Sequence, residues 1–412
     1  MIFPLSTFTR YVYLSIFCFS MLNGFSQSPH CISARYSEEA YFDSAQITVL
    51  NNIQYGTSIN YFSSQPVDLL MDVYYPNTST DEMDNRPFIL NIHGGGFAGG
   101  DKSDLTYESL EFAKRGFVVA NINYRVGWNC DNVICFNCYG TNLQKAVYCG
   151  VQDARAALRF AFDQKEEWGI DEDWMLVSGE SAGSITGLLT TIWDQSEADA
   201  QVPAGFSSEV GSLDDSGNTL PGGYQVKACI DQCGAVPSLS DLDDNTNLPI
   251  ISFHDSWDCV VPYDNGAVIA CFCGGYLNYN GSHSLHNYRK AQGECTELHT
   301  APQPVFPNHC TYPKLNIVKL SSCFLKRVMC GFCINFADDD INATPICGAL
   351  THTIAVVPGC TYSAANNYEP SANMDNGACV FTNDCAADLD ANGIIGVPDL
   401  IIFINAFGLT CP

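Results

Sequence analysis

Basic residues are scarce in this chain: 18 Lys and Arg stand against 45 Asp and Glu over 412 residues, a formal charge of −27. So acidic a surface excludes nucleic acid and anionic membranes as partners, because like charge repels it from both. Long apolar runs are scarce too. The one candidate, Tyr11 to Leu22, is shorter than the about 20 residues a bilayer-crossing helix needs, so no membrane span is expected. No small-residue lipidation pattern precedes Cys18 or Cys31. No G-K-[ST] follows the glycine-rich run at 94–100, which argues against a phosphate loop.

What is present points elsewhere. An apolar share of 46% supplies a full core. Arg10 precedes the N-terminal apolar run and the small residues Gly24 and Ser26 follow it, so residues 1–26 read as a signal peptide of a secreted, extracellular protein. Of 21 cysteines, removing Cys18 with that signal leaves 20, an even number that reads as a disulfide set. C-F-N-C at 135–138 and C-G-F-C at 330–333 have zinc-like or redox-like spacings, but in an exported chain disulfide pairing is the expectation.

From about Pro66 onward, short β-branched runs alternate with helix-like stretches. PVDLLMDVYYP, RPFILNIHG, GFVVANINYR, MLVSGES, QVKACIDQCG, LPIISFHDS and TELHTAP read as strands, the last of these as the final strand. A long helix is predicted from about Leu143 to Trp168, one after Ser181, and a last one over YPKLNIVKLSSCFLKRVMC. Alternation of this kind implies an α/β fold, a mainly parallel sheet covered on both faces. The polar, Gly/Asp-rich stretch between Trp193 and Gly223 suits a surface excursion. The expected organisation is a catalytic domain over 27–340, a linker over 341–358, a small cysteine-bounded module over 359–382 and a calcium-binding segment over 383–412.

Two motifs carry the chemistry. G-E-S-A-G around Ser181 lies at a strand end and a helix start, the context of a nucleophile elbow. N-I-H-G-G-G-F-A-G-G at 91–100 ends another strand. Its bare backbone N–H groups at Gly95 and Gly96, with the amide of Ala182, form a candidate oxyanion hole. His93 reads as a loop-holding residue, and Glu180 as a partner of nearby structure. Together with NYRVGW, WGIDEDWMLVSGESAG and DCVVPY, these motifs resemble α/β-hydrolase fold esterases and lipases over roughly residues 50 to 335. The nearest are the carboxylesterase and hormone-sensitive-lipase-like group with the HGGG motif.

The resemblance implies an α/β-hydrolase fold, a Ser–acid–His triad in that chain order, and ester hydrolysis through an acyl-enzyme without a cofactor. Asp258, just before Cys259-Val260-Val261-Pro262, takes the place of the acid, with Asp255 as a turn residue or the alternative. The loop VFPNHCTYP offers His309 as the base, with His299, inside the last strand, as the alternative. The substrate is expected to be a carboxylic ester: acylated plant or algal polysaccharides, small esters and lipids are all open, with a lean towards polymer-bound esters. Peptide hydrolysis on the same fold and an inactive binding or adhesion protein remain the competing readings.

The tail is different in kind. Residues 359–379 resemble short modules appended to exported bacterial proteins, which implies a Cys360–Cys379 disulfide. Residues 388–399, D-L-D-A-N-G-I-I-G-V-P-D, place Asp388, Asp390, Asn392, Ile394 (through its carbonyl) and Asp399 at calcium-loop positions 1, 3, 5, 7 and 12, with Gly393 at the turn. Asp at position 12 resembles dockerin repeats. A full dockerin has two loops and one is found, so docking to a cohesin-type partner is doubtful, though Cys385 and Cys411 could staple the single unit.

Overall fold

The computed structural model describes residues 29–32, 34–128, 139–243, 247–269, 277–302 and 307–347, with short pieces at 358–359, 366–369 and 374–375. The signal segment, the C-F-N-C cluster, Cys360, Cys379, Cys385, Cys411 and the calcium-loop residues Asp388, Asp390, Asn392, Ile394 and Asp399 lie outside these.

Among the described residues, twelve strands organise the body: β1 (Ile47–Ile59), β2 (Pro66–Pro76), β3 (Arg86–Ile92), β4 (Val118–Ile122), β5 (Ile170–Glu180), β6 (Val226–Gln232), β7 (Ala235–Val236), β8 (Ile250–Asp255), β9 (Asn265–Ala267), β10 (Asn278–Gly281), β11 (Thr296–Ala301) and β12 (Phe336–Asp338). Nine of them form one sheet in the order β1-β2-β4-β3-β5-β6-β8-β11-β12. Strand β2 runs antiparallel to both its neighbours, and every pairing from β4 to β12 is parallel. The sheet is buried on both faces, so its central strands read as continuous apolar runs such as Phe88-Ile89-Leu90. Alternate residues serve opposite layers. Phe88, Leu90 and Ile92 pack with the helices Gly140–Asp163 and Ala182–Ile192, while Ile89 packs with the helices Thr106–Lys114 and Lys314–Met329. This is the α/β-hydrolase fold. A small antiparallel sheet, β7-β10-β9, lies beyond the carboxyl ends of the main strands.

Several expectations change. The sheet begins before Pro66: β1 is an edge strand in which Tyr55 alone is fully buried, so it lacks the apolar alternation that marks a half-buried strand. TELHTAP is not the last strand, because the short edge strand β12 pairs with it after the final helix. The polar excursion folds into two short helices, Gln195–Gln201 and Phe206–Val210. The body also continues past residue 340. Asn316 donates to the Ile341 carbonyl at 2.6 Å, and Cys347 is bonded to Cys323.

Disulfides join Cys31–Cys330, Cys233–Cys310, Cys295–Cys333 and Cys323–Cys347. The two cysteines of C-G-F-C thus pair with distant partners. Not every cysteine is bonded, however: Cys149 and Cys229 are free and buried. Burial pushes the Cys149 thiol up to about 11, which keeps it unreactive. No helix among the described residues is long and apolar enough to cross a membrane.

Candidate active site

Ser181 is the single residue between β5 and the helix Ala182–Ile192, and its backbone sits at φ 55°, ψ −120°. A non-glycine residue avoids that region unless its surroundings force it. Here they do. The Ser181 amide donates to the Gln232 carbonyl at 2.8 Å, and a Cβ on Gly183 would stand 2.0 Å from the Ile92 carbonyl oxygen. The small residues of G-E-S-A-G therefore let β3, β5 and the helix converge while the hydroxyl is lifted out of the turn.

The serine Oγ lies 2.7 Å from His309 Nε2, and His309 Nδ1 lies 2.6 Å from Asp258 Oδ2. The structure thus brings Ser181, His309 and Asp258 into one hydrogen-bonded line. Asp258 Oδ1 accepts from the amides of Val260 and Val261 at 2.8 and 3.0 Å. Burial alone would raise its pKa, yet hydrogen bonds from His254 and His309 outweigh it and lower the carboxyl to about 2.

The other candidates fall elsewhere. Asp255 accepts from the Thr311 amide at 2.8 Å and from its hydroxyl, fastening the His309 loop without reaching Ser181. His299 is fully buried on β11 against Asp338 and Glu297, away from the serine. His283 and His286 lie in the helix Ser282–Ala291.

Three ties fix the His309 loop. Asn308 bridges to Asp258, Thr311 is held by Asp255, and Cys310, directly after the histidine, is bonded to Cys233 just past the end of β6. Lys314, at the start of the following helix, pairs at 2.8 Å with both Glu180 and Glu108 beneath the elbow. The expected structural role of Glu180 is that contact.

The glycine loop stands against the elbow. A Cβ on Gly94 would approach the Glu180 carbonyl oxygen to 3.1 Å, and one on Gly100, at φ +103°, would reach 2.3 Å from His93 Nδ1. His93 stacks on Tyr124 with ring centroids 4.6 Å apart, holding the loop as expected. Ala182 opens its helix, so its N–H has no acceptor within that helix. Gly96, Ala182 and Ser181 line one apolar cavity of about 40 Å³ with Phe97, Trp128 and Val261. A larger cavity of about 470 Å³, by Arg155, Arg159 and Tyr224, lies where β6 and β8 begin, at the opposite end of the strands from Ser181.

Sequence reasoning missed two features of this site: His254, four residues before Asp258, and the Cys233–Cys310 bond beside His309. The spacing His254-x-x-x-Asp258 and the adjacency of His309 and Cys310 were the available signals.

Among known proteins, the cAMP-regulated D2 protein of Dictyostelium discoideum is 31% identical over 148 residues, 35% of this chain and 26% of that protein. The para-nitrobenzyl esterase of Bacillus subtilis (strain 168) is 35% identical over 126 residues, 29% of this chain and 24% of that one. The chain thus spans about a quarter of the length of these curated relatives. A solved structure of Thermogutta terrifontis esterase 2, phosphoramylated by tabun, aligns at 20% identity with a TM-score of 0.47 over 71% of this chain and 97% of that one. The BD-FAE family model matches residues 71–249, from within β2 to the residue before β8, and so takes in the glycine loop and Ser181 but stops short of Asp258 and His309.

Proposed function

We propose that this chain is a secreted carboxylic ester hydrolase that works through Ser181, His309 and Asp258. The observation that carries the reading is the unbroken line from Ser181 Oγ to His309 Nε2 at 2.7 Å and from His309 Nδ1 to Asp258 Oδ2 at 2.6 Å. In this reading His309 takes the serine proton as Oγ attacks the ester carbonyl, then gives it to the departing alcohol. The amides of Gly95, Gly96 and Ala182 stabilise the tetrahedral oxyanion. Water, deprotonated by the same His309, then attacks the acyl-serine and releases the acid, with the proton returned to Ser181. Asp258 stays ionised and stabilises the imidazolium.

The cavity beside Ser181, about 40 Å³ and apolar, is far below the about 300 Å³ of an ordinary ligand pocket, which favours a short acyl group over a long one. The four disulfides named above support an oxidising, extracellular setting. The all-oxygen donor set of Asp388, Asp390, Asn392, Asp399 and the Ile394 carbonyl suits calcium. Tm of the full chain with and without calcium tests that part.

The deciding assay compares p-nitrophenyl acetate, butyrate and octanoate, with Ser181→Ala, His309→Ala and His299→Ala alongside. The reading expects hydrolysis fastest on the short esters, abolished in the first two variants and retained in His299→Ala. No turnover of any ester by the unmodified, disulfide-intact protein, with calcium present, would sink it.

A further inference from the structure

Behind Asp258 lies a buried chain of polar groups that the reaction as described does not use. His254, on β8, is 1% exposed. Its Nε2 lies 3.3 Å from Asp258 Oδ2, the same oxygen that meets His309, and 3.1 Å from the Val261 carbonyl oxygen. Its Nδ1 lies 2.7 Å from the hydroxyl of Ser282. That hydroxyl lies 2.6 Å from Asp231 Oδ2, while Asp231 Oδ1 accepts from Ser184 Oγ at 2.6 Å and from the Gly234 amide at 2.8 Å. Ser184 belongs to the elbow helix, so the chain runs from the acid of the site back to the helix that carries the nucleophile.

With Asp231 and Asp258 both carboxylates, proton counting sets the state of the ring. Both neighbours of Nε2 are acceptors, so that nitrogen carries a hydrogen. On the other side, Ser282 has one hydrogen to place between Asp231 and His254. If it donated to the ring, its oxygen and Asp231 Oδ2 would face each other as two buried acceptors. If it donates to Asp231, Nδ1 carries a hydrogen as well, and every buried group has a partner. That arrangement also sets one cation between two buried carboxylates.

We propose that His254 is a positioning residue for the reaction: an imidazolium held between Asp231 and Asp258 that fixes the Asp258 carboxylate against His309. This rests on the reading of Ser181, His309 and Asp258 given above. Burial opposes charge on the ring, but the hydrogen bond and negative charge of Asp258, with Asp231 behind it, raise its pKa. Among the described residues, the other ionisable groups on this side are His309, Tyr263, whose ring is edge-on to His254 with its centroid 5.6 Å away, and the pair His283–Asp264 beyond it. A fixed positive charge beside Asp258 also opposes the positive charge that His309 gains when it takes the serine proton. His254 therefore trades some basicity of His309 for a carboxylate that cannot rotate.

The test uses the full, disulfide-intact chain labelled with nitrogen-15 histidine. At pH 8, long-range proton–nitrogen spectra should contain an imidazolium signal, both ring nitrogens protonated, that vanishes in His254→Gln. In kinetics on p-nitrophenyl acetate, His254→Gln should lower kcat about tenfold to 100-fold, the cost typical of losing a partner one step behind a reacting group, with KM little changed. The acid limb of its kcat/KM profile should move to higher pH, because a positive charge next to the site is gone. Asp231→Asn and Ser282→Ala should move that limb the same way, which covers the case where His254→Gln fails to fold. A neutral His254 ring at pH 8, or variants with an unmoved acid limb, would overturn the proposal. If the unmodified protein turned over no ester at all, the function assigned to Ser181 would fall, while the ring spectrum would still report the charge of His254 on its own.

Discussion

Ser181 occupies a backbone region that costs a serine about 1 to 3 kcal/mol and costs glycine almost nothing. At φ 55° the residue therefore trades stability for a hydroxyl turned toward His309. Ser181→Gly should raise thermal stability, by about 1 kcal/mol, while lowering kcat about 10⁶-fold as expected for losing a nucleophile. Differential scanning calorimetry beside the ester assay checks both halves, and a destabilised variant would mean the turn is not strained. Cys310 makes a second case at this scale. Its bond to Cys233 closes a 77-residue separation, worth about 4 kcal/mol by loop entropy, and also clamps the backbone next to His309. The double variant Cys233→Ser, Cys310→Ser should thus lose kcat beyond what its lower Tm explains, at temperatures where it remains folded. Unchanged kcat would reduce the bond to a staple. Ser181 and Asp258, two members of the hydrogen-bonded line with His309, stood out in the chain because G-E-S-A-G and D-C-V-V-P carry local geometry in their spacing, whereas His309 was set apart from His299 only by lying in a loop. His254 showed only its spacing to Asp258, since its other partners Asp231 and Ser282 are 23 and 28 residues away and meet it only through the fold.

Elements explain what the strand pattern left out. The central strands announce themselves by buried apolar runs, but β12 is three residues long and β1 is largely exposed, so neither has a periodicity to detect. The helix Gln195–Gln201 did have a signal. Asp194 caps it, accepting from the Glu197 amide at 2.7 Å, while the Glu197 side chain accepts from the Asp194 amide at 2.7 Å, a capping box legible as D-x-x-E. Strand β12 is held to β11 in part by charge. His299 on β11 lies 3.2 Å from Asp338 on β12. Burial opposes its charge, but Asp338 and Glu297 outweigh that and raise its pKa to about 9 from a free value of 6.5. Because the folded value is the higher one, the stabilisation is complete below pH 6.5 and is lost as pH rises through about 9. Tm should fall by about 5 °C across that window, and His299→Gln, less stable at pH 6, should show a flatter profile. A parallel decline in both proteins would remove the pair from the account.

For the whole molecule the dominant quantity is charge. At −27 the folded state repels itself, and salt screens that repulsion within a Debye length of about 10 Å at 0.1 M. Raising sodium chloride from 20 to 500 mM, which shortens the Debye length about fivefold, should raise Tm. A fall would mean that favourable exposed pairs such as Arg155–Asp214, at 2.9 Å, lose more to screening than the net repulsion does. Composition made this legible at once, as it did the need for disulfides. The partition into bonded and free cysteines was not legible, because Cys149 and Cys229 are set apart only by packing into the core.

The bond between Cys31 and Cys330 joins positions 299 residues apart and so turns the body into a covalent ring. A protease that cuts once inside this ring, for instance at the exposed turn around Pro221 and Gly222, frees no fragment: both new ends stay attached through sulfur. Such a nicked molecule should run as two bands on a reducing gel and as one on a non-reducing gel, with its fold intact. If the chain is exported as proposed, a first cut by an extracellular protease would then leave the folded body in one covalent piece.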